Sequence, residues 1–281
     1  MAVNFQILPP DTPVNVPLPS NVPPRANQTA TTSVNDETED PRGAAIQAAR
    51  QGIENFPGPV INGKSTQITL YFPPSTLAVK APQQLTNLYH VINEAFTISH
   101  RSTNSIPASV PRLYSEQQLV QELEAASAGT FCYVIYHPDT QEVVGTASAE
   151  PYRGPATNAD RVAAGGKKVF LSAIPLEDGV EMWELRLMAV DVKVQKQGVA
   201  GLLMRLVEER VKAVFVEKVT GSNGSGGPQR LKMVLKTIKE INGLFYNKKM
   251  YALELASWNA PGTLNSEVGF TLAHMSKDIT P

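Results

Sequence analysis

The sequence predicts an α/β (α+β) domain behind an extended, proline-rich arm, and three observations carry that prediction. Strand and helix patterns alternate from about Thr66 onward. Ten of the 22 prolines fall in the first 60 residues. The stretch "WELRLMAVDVKVQKQGVAGLLMRLVEERV", Trp183 to Val211, begins as a buried strand and ends as an amphipathic helix, with a polar, glycine-bearing turn between.

The arm is assigned to residues 1–60. "ILPPDTPVNVPLPSNVPPRANQTATTSVN" cannot fill a helix or a sheet interior, because proline fixes φ and removes a donor. Within the arm, Asp40 as N-cap, Pro41 at the first helical position and the stripe Ala45, Ala49, Ile53, Phe56 predict a short helix near 41–55. The domain is assigned to residues 61–281. "TQITLYF" reads as a strand, and Leu85, Leu88, Tyr89, Ile92, Ala95 and Phe96 share a helical face opened by Pro82. "SEQQLVQELEAASAG" carries a capping box at Ser115 and Gln118. "TFCYVIY" is apolar on both faces and reads as a central strand, turned by His137-Pro138-Asp139 into "EVVGTASA". After a polar stretch at 151–167, "KKVFLSAI" reads as another strand. Beyond the helix at 199–214, "TGSNGSGGPQR" is a loop, "LKMVLKTI" a strand and "NGLFYNKKM" a short helix. "YALELAS" and "GFTLAHMSKDI" close the chain as strands.

Composition narrows the function. With 281 residues, 42% apolar and 18% charged, the chain has material for a core. A net charge of −1 leaves no electrostatic footprint for nucleic acid or a membrane surface. The lone Cys132 reads as a small buried hydrophobe, and nothing suggests an oxidising compartment. No signal peptide or membrane-length apolar run is legible. A soluble, cytoplasmic protein is expected, with a nuclear location open. His90, His100, His137 and His274 have no metal-ligand spacing, so no metal is expected.

The turn carries the chemistry. A helix N-terminus exposes unpaired N–H groups and the positive end of the macrodipole, and small residues let an anion approach the backbone. Gly198, Ala200 and Gly201 are small, and Gln195, Lys196 and Gln197 can donate. If the neighbouring strand diverges at "LMAV", the freed backbone can pair with an amide-bearing ligand. A pyrophosphate at the turn and amides along the strand together describe coenzyme A.

"LRLMAVDVKVQKQGVAGLLM" resembles the acetyl-CoA signature of the GNAT N-acetyltransferase superfamily, Gln/Arg-x-x-Gly-x-Gly/Ala between strand and helix, matched at Gln195, Gly198 and Ala200. A second signature is matched downstream by Asn242, Phe245 and Tyr246. The resemblance covers roughly residues 66–279 and implies a mixed, mostly antiparallel sheet flanked by helices. It also implies acetyl-CoA as co-substrate and direct attack on it by a primary amine. By that resemblance the donor lies along Met188, Ala189 and Val190 and on the turn Gln195, Lys196, Gln197, Gly198, Val199, Ala200 and Gly201, with Asn242 and Phe245 nearby. Tyr246 is the implied proton donor to the thiolate. Glu184, six residues before Val190, has the spacing of the glutamate base in the histone acetyltransferase branch. On an ideal strand residues 184, 186, 188 and 190 share a face. The family often ends the second motif in Gly-Phe, where this chain has Met250-Tyr251.

Other readings stay open. The junction alone could be a plain βα turn, Tyr246 a core tyrosine and Glu184 a solvated strand residue. The chain could be a non-catalytic acyl-CoA-binding regulatory protein, or an interaction protein working through its arm. The amine acceptor is a small molecule or a peptide, and homo-oligomerisation stays open. "GSNGSGG" lacks the Lys-Ser/Thr of a P-loop, and the turn lacks the Gly-x-Gly-x-x-Gly of a dinucleotide site.

Overall fold

The computed structural model describes residues 52–101, 111–124, 128–156, 172–221, 228–263 and 266–280. Eight strands form one sheet: β1 (Gly52–Pro57), β2 (Gln67–Phe72), β3 (Phe131–Tyr136), β4 (Val143–Pro151), β5 (Val180–Val190), β6 (Arg230–Ile238), β7 (Ala252–Asn259) and β8 (Phe270–Ile279). Their order across the sheet is β1-β2-β3-β4-β5-β6-β8-β7. Every neighbouring pair is antiparallel except β5 and β6. The helices are α1 (Thr76–Lys80), α2 (Pro82–Arg101), α3 (Glu116–Glu124), α4 (Val199–Gly221) and α5 (Leu244–Lys248).

The two faces of the sheet bury two separate cores, and strand alternation sorts residues between them. Phe131, Tyr133 and Ile135 of β3 face one core with Leu203, Val207 and Val211 of α4. Cys132, Val134 and Tyr136 face the other, with Leu88 and Ile92 of α2 and Leu119 and Leu123 of α3. The sheet is thus a middle layer, which is why β3 is apolar on both faces and fully buried. Cys132 is a buried free thiol whose pKa burial pushes up to about 11, as suits an inert core residue.

Local chemistry sets the elements. Ser115 Oγ accepts the Gln118 N–H at 3.2 Å, and the Gln118 side chain accepts the Tyr114 N–H at 2.9 Å, so the capping box closes one residue earlier than its ideal form. Asn93 of α2 clamps Leu113 by two hydrogen bonds, 3.0 Å to its carbonyl and 2.8 Å from its N–H. Gly145 of β4 lets α4 lie close: a Cβ there would sit 3.0 Å from the Ala189 carbonyl and 3.2 Å from Leu203.

Two expectations are corrected, and a third lies largely outside the described residues. The helix near 41–55 gives way at Gly52–Pro57 to β1, which joins the sheet within the segment assigned to the arm. Ile53 and Phe56, three residues apart, fit a helical stripe, but pairing with β2 overrides that local pattern. Residues 1–51 lie outside the described ones, as do 167–171 of "KKVFLSAI". Its remainder, 172–174, is irregular, with Ile174 packed on Tyr152 and Met182. Finally, β5 does not alternate simply. Thr146 pairs with Ala189 and Ser148 with Arg186, so Leu187 and Met188 bulge opposite Ala147. Glu184, Arg186 and Ala189 therefore lie on the α2–α3 side, while Met188 and Val190 pack with the α4 core.

Candidate active site

The cleft begins where β5 and β6 part. Their pairing runs from Val180↔Arg230 to Glu184↔Val234 and stops, although the strands continue to Val190 and Ile238. The bulge lies in the diverging half, with Leu187 at φ 47°, and a bulge bends and over-twists its strand. Among the described residues, the β6-facing edge of β5 has no strand partner beyond Glu184, and a cleft of about 670 Å³ opens there.

Past Val190 the chain makes a single 3₁₀ turn, Val192–Val194, capped by Asp191, whose carboxylate accepts the Lys193 N–H at 2.9 Å. Gln195 donates to the Val190 carbonyl at 3.3 Å and ties the turn to the strand end. Lys196 (φ 65°) and Gly198 (φ 87°) adopt left-handed backbone, and α4 starts at Val199. Among the described residues, the side chain within 4 Å of a Cβ built on Gly201 is Lys249, whose Nζ would be 3.0 Å away. A cation at a helix N-terminus is unfavourable alone, because both are positive, and is satisfied by an anion between them.

On the opposite wall a π-helical turn, Lys239–Gly243, leads into α5 and delivers Asn242, Phe245 and Tyr246 to the cleft. Tyr246 stacks edge-on with Phe245 (5.2 Å) and Tyr251 (5.9 Å). Burial pushes its phenol up to about 12, so it is a protonated acid at neutral pH. The helix ends with the Tyr251 N–H donating to the Tyr246 carbonyl at 3.1 Å. Met250 takes φ 68° between them. The departure from Gly-Phe thus leaves the left-handed turn intact, with a methionine in it.

Glu184 is buried and paired with Lys236 of β6 at 2.8 Å. Lys236 lies opposite His274 of β8 in register. His274 is buried, its Nδ1 without a hydrogen-bond partner among the described residues, and its pKa is lowered by desolvation and then by Lys236, with Glu184 opposing. Arg186 pairs with Glu150 at 2.7 Å.

Of the residues singled out in the sequence, the cleft brings together Glu184, Met188, Ala189, Val190, Gln195, Ala200, Asn242, Phe245 and Tyr246. Lys196, Gln197, Gly198, Val199 and Gly201 do not line it. Val199 is a core residue and the Gln197 amide binds Asn62 at 3.0 Å, so this part of the turn offers backbone rather than side chains. Lys236, Arg186, His274 and Lys249 were not legible. They sit on four elements or connections, and it is strand register that sets Lys236 opposite His274. The doubled lysine 248–249 just before Met250 was the available signal for the fourth. Among the described residues, no group of three or more His, Cys, Asp or Glu could hold a metal ion.

No family model and no curated protein matches the sequence. Solved structures do. NAA60 of Arabidopsis thaliana in complex with acetyl-CoA is 13% identical, with 81% of this chain and 99% of that one covered and a TM-score of 0.42. A GNAT superfamily phosphinothricin acetyltransferase from Sinorhizobium meliloti, in complex with AcCoA, is 12% identical over 70% and 84% of the two chains, with a TM-score of 0.44. A GNAT-family protein of Desulfovibrio desulfuricans, 16% identical, covers 82% and 100%, with a TM-score of 0.39. The chain's own strand order, with its one parallel pair splayed beside a glycine turn and a helix N-terminus, is the mixed, mostly antiparallel sheet flanked by helices that the sequence resemblance implies.

Proposed function

We propose that the chain is an acetyl-CoA-dependent N-acetyltransferase acting on a primary amine. The observation that carries this is the parting of β5 from β6 beyond Glu184, directly before the left-handed turn at the start of α4. The residues present fit the co-substrate. An unpaired strand edge suits the amides of a pantetheine arm, and the α4 N-terminus with Lys249 suits a pyrophosphate.

Acetyl-CoA, when bound, supplies a thioester whose acyl carbon an amine can attack. The chain's own groups manage charge and protons. A backbone N–H within Met188–Val190 donates to the carbonyl oxygen as it gains charge. Glu184 takes the proton the amine loses as the C–N bond forms. Tyr246 gives a proton to the sulfur as the C–S bond breaks, and a phenol raised to about 12 keeps that proton available across the neutral range.

The test is amine-dependent thiol release from acetyl-CoA. Tyr246→Phe is expected to lower kcat about 10²-fold or more, with KM for acetyl-CoA little changed. Equal turnover by the variant would remove Tyr246 from the mechanism. One observation favours a second reading, a non-catalytic acyl-CoA-binding protein: the carboxylate of Glu184 is already engaged by Lys236. Binding of acetyl-CoA without turnover of any amine would select it.

A further inference from the structure

We propose that the amine acceptor carries an anionic group, a carboxylate or a phosphate ester, and is not a polycation; this rests on the transferase reading above. Among the described residues lining the cleft, the acids are Glu122 and Glu184 and the cations are Arg112, Arg186 and Lys236. Each acid is held by a cation: Glu122 by a bidentate Arg112 at 2.9 Å and 2.9 Å, and Glu184 by Lys236 at 2.8 Å. Arg186 in turn holds Glu150, outside the lining, at 2.7 Å.

In all three pairs the cation is the more exposed partner. Arg112 is 37% exposed against 18% for Glu122, Arg186 35% against 12% for Glu150, and Lys236 21% against 10% for Glu184. All three cations line the cleft, whereas Glu150 does not, so the described lining carries one more cation than acid.

The arrangement is also held in place. Arg112 directly precedes Leu113, which Asn93 clamps, and Arg186 sits on β5 just before the bulge. Among the described residues, Arg186 makes one hydrogen bond, to Glu150, and keeps further N–H donors for a planar anion. A polycation would meet a lining with more cations than acids and with the cations the more exposed partners, whereas a carboxylate would gain charge-assisted hydrogen bonds without any partner acid being displaced.

The test compares amines of matched length that differ only in the far group: γ-aminobutyrate, butylamine and putrescine, with phosphoethanolamine against ethanolamine to separate carboxylate from phosphate. Thiol release gives kcat/KM for each, and calorimetry on the protein loaded with coenzyme A gives acceptor binding. An anionic amine is expected to exceed its neutral match about tenfold or more, with putrescine lowest. The paired variant Arg186→Gln, Glu150→Gln removes both charges together and should abolish that preference while the KM for acetyl-CoA holds. Arg186→Lys should restore part of it.

Turnover that is equal for all three four-carbon amines, or highest with putrescine, would overturn the inference and leave the transferase reading standing. A rise in the KM for acetyl-CoA in the paired variant, with the acceptor preference kept, would assign these cations to the donor and overturn it too. Selective binding of an anionic amine without turnover would sustain the charge assignment and sink the transferase reading. Neither binding nor turnover with any amine would sink both.

Discussion

At the scale of single residues, the site is built from side chains that check one another. Lys236 neutralises Glu184 in a setting where both are mostly covered, so removing one partner leaves a charge that water reaches poorly. Lys236→Met is expected to cost on the order of 2 kcal/mol of stability in urea unfolding, and adding Glu184→Gln should recover much of it. Additive losses in the double variant would mean that the two groups are not coupled. Tyr246 and Glu184 were legible in the sequence because each belongs to a local pattern. Lys236, Arg186 and His274 were not, because their meeting depends on which strands become neighbours, and linear spacing does not encode that.

At the scale of elements, the decisive features are places where regular structure is interrupted. The turn at Gln195–Gly198 could be read ahead of time, since a glycine between an apolar strand and an apolar helical stripe has few uses. The bulge at Leu187–Met188 could not: no glycine marks it, and Leu187 takes φ 47° in an apolar run that reads as uniform strand. Met250 holds its left-handed conformation while largely exposed, so its side chain offsets little of the strain. Met250→Gly is expected to stabilise the fold by about 1 kcal/mol, seen as a rise in melting temperature. The reverse change, Gly198→Ala at φ 87°, should destabilise by about 1 kcal/mol and weaken acetyl-CoA binding. A lower melting temperature for Met250→Gly would show that the methionine side chain, not its backbone, matters there.

At the scale of the whole molecule, the sheet is a divider between two cores, and the cleft is a defect in it rather than a groove on its surface. The fold class was legible because most elements carry clear periodicity; β1 was not, because an edge strand with two half-exposed apolar residues looks locally like a short helix. No helix among the described residues is long and apolar enough to cross a membrane. Burial also gives the molecule an acid sensitivity. Desolvation lowers His100 to about 4, and His274 is lowered as well. Unfolding frees these imidazoles to bind protons at their ordinary pKa of about 6.5. Their contribution to stability is therefore complete above pH 6.5 and lost as the pH falls below it, for His100 through about 4. For His100 the loss is on the order of 3 kcal/mol. Urea unfolding at a series of pH values should show the decline, and His100→Gln should flatten it; an unchanged slope would place the acid sensitivity elsewhere.

The measurement that tests the account most directly is backbone amide hydrogen exchange with and without acetyl-CoA. If the parting of β5 and β6 is the donor site, protection should rise at Leu187–Val190 and across Gln195–Gly201, and change little in α3. Binding that protects another surface, or no protection at saturating acetyl-CoA, would contradict it.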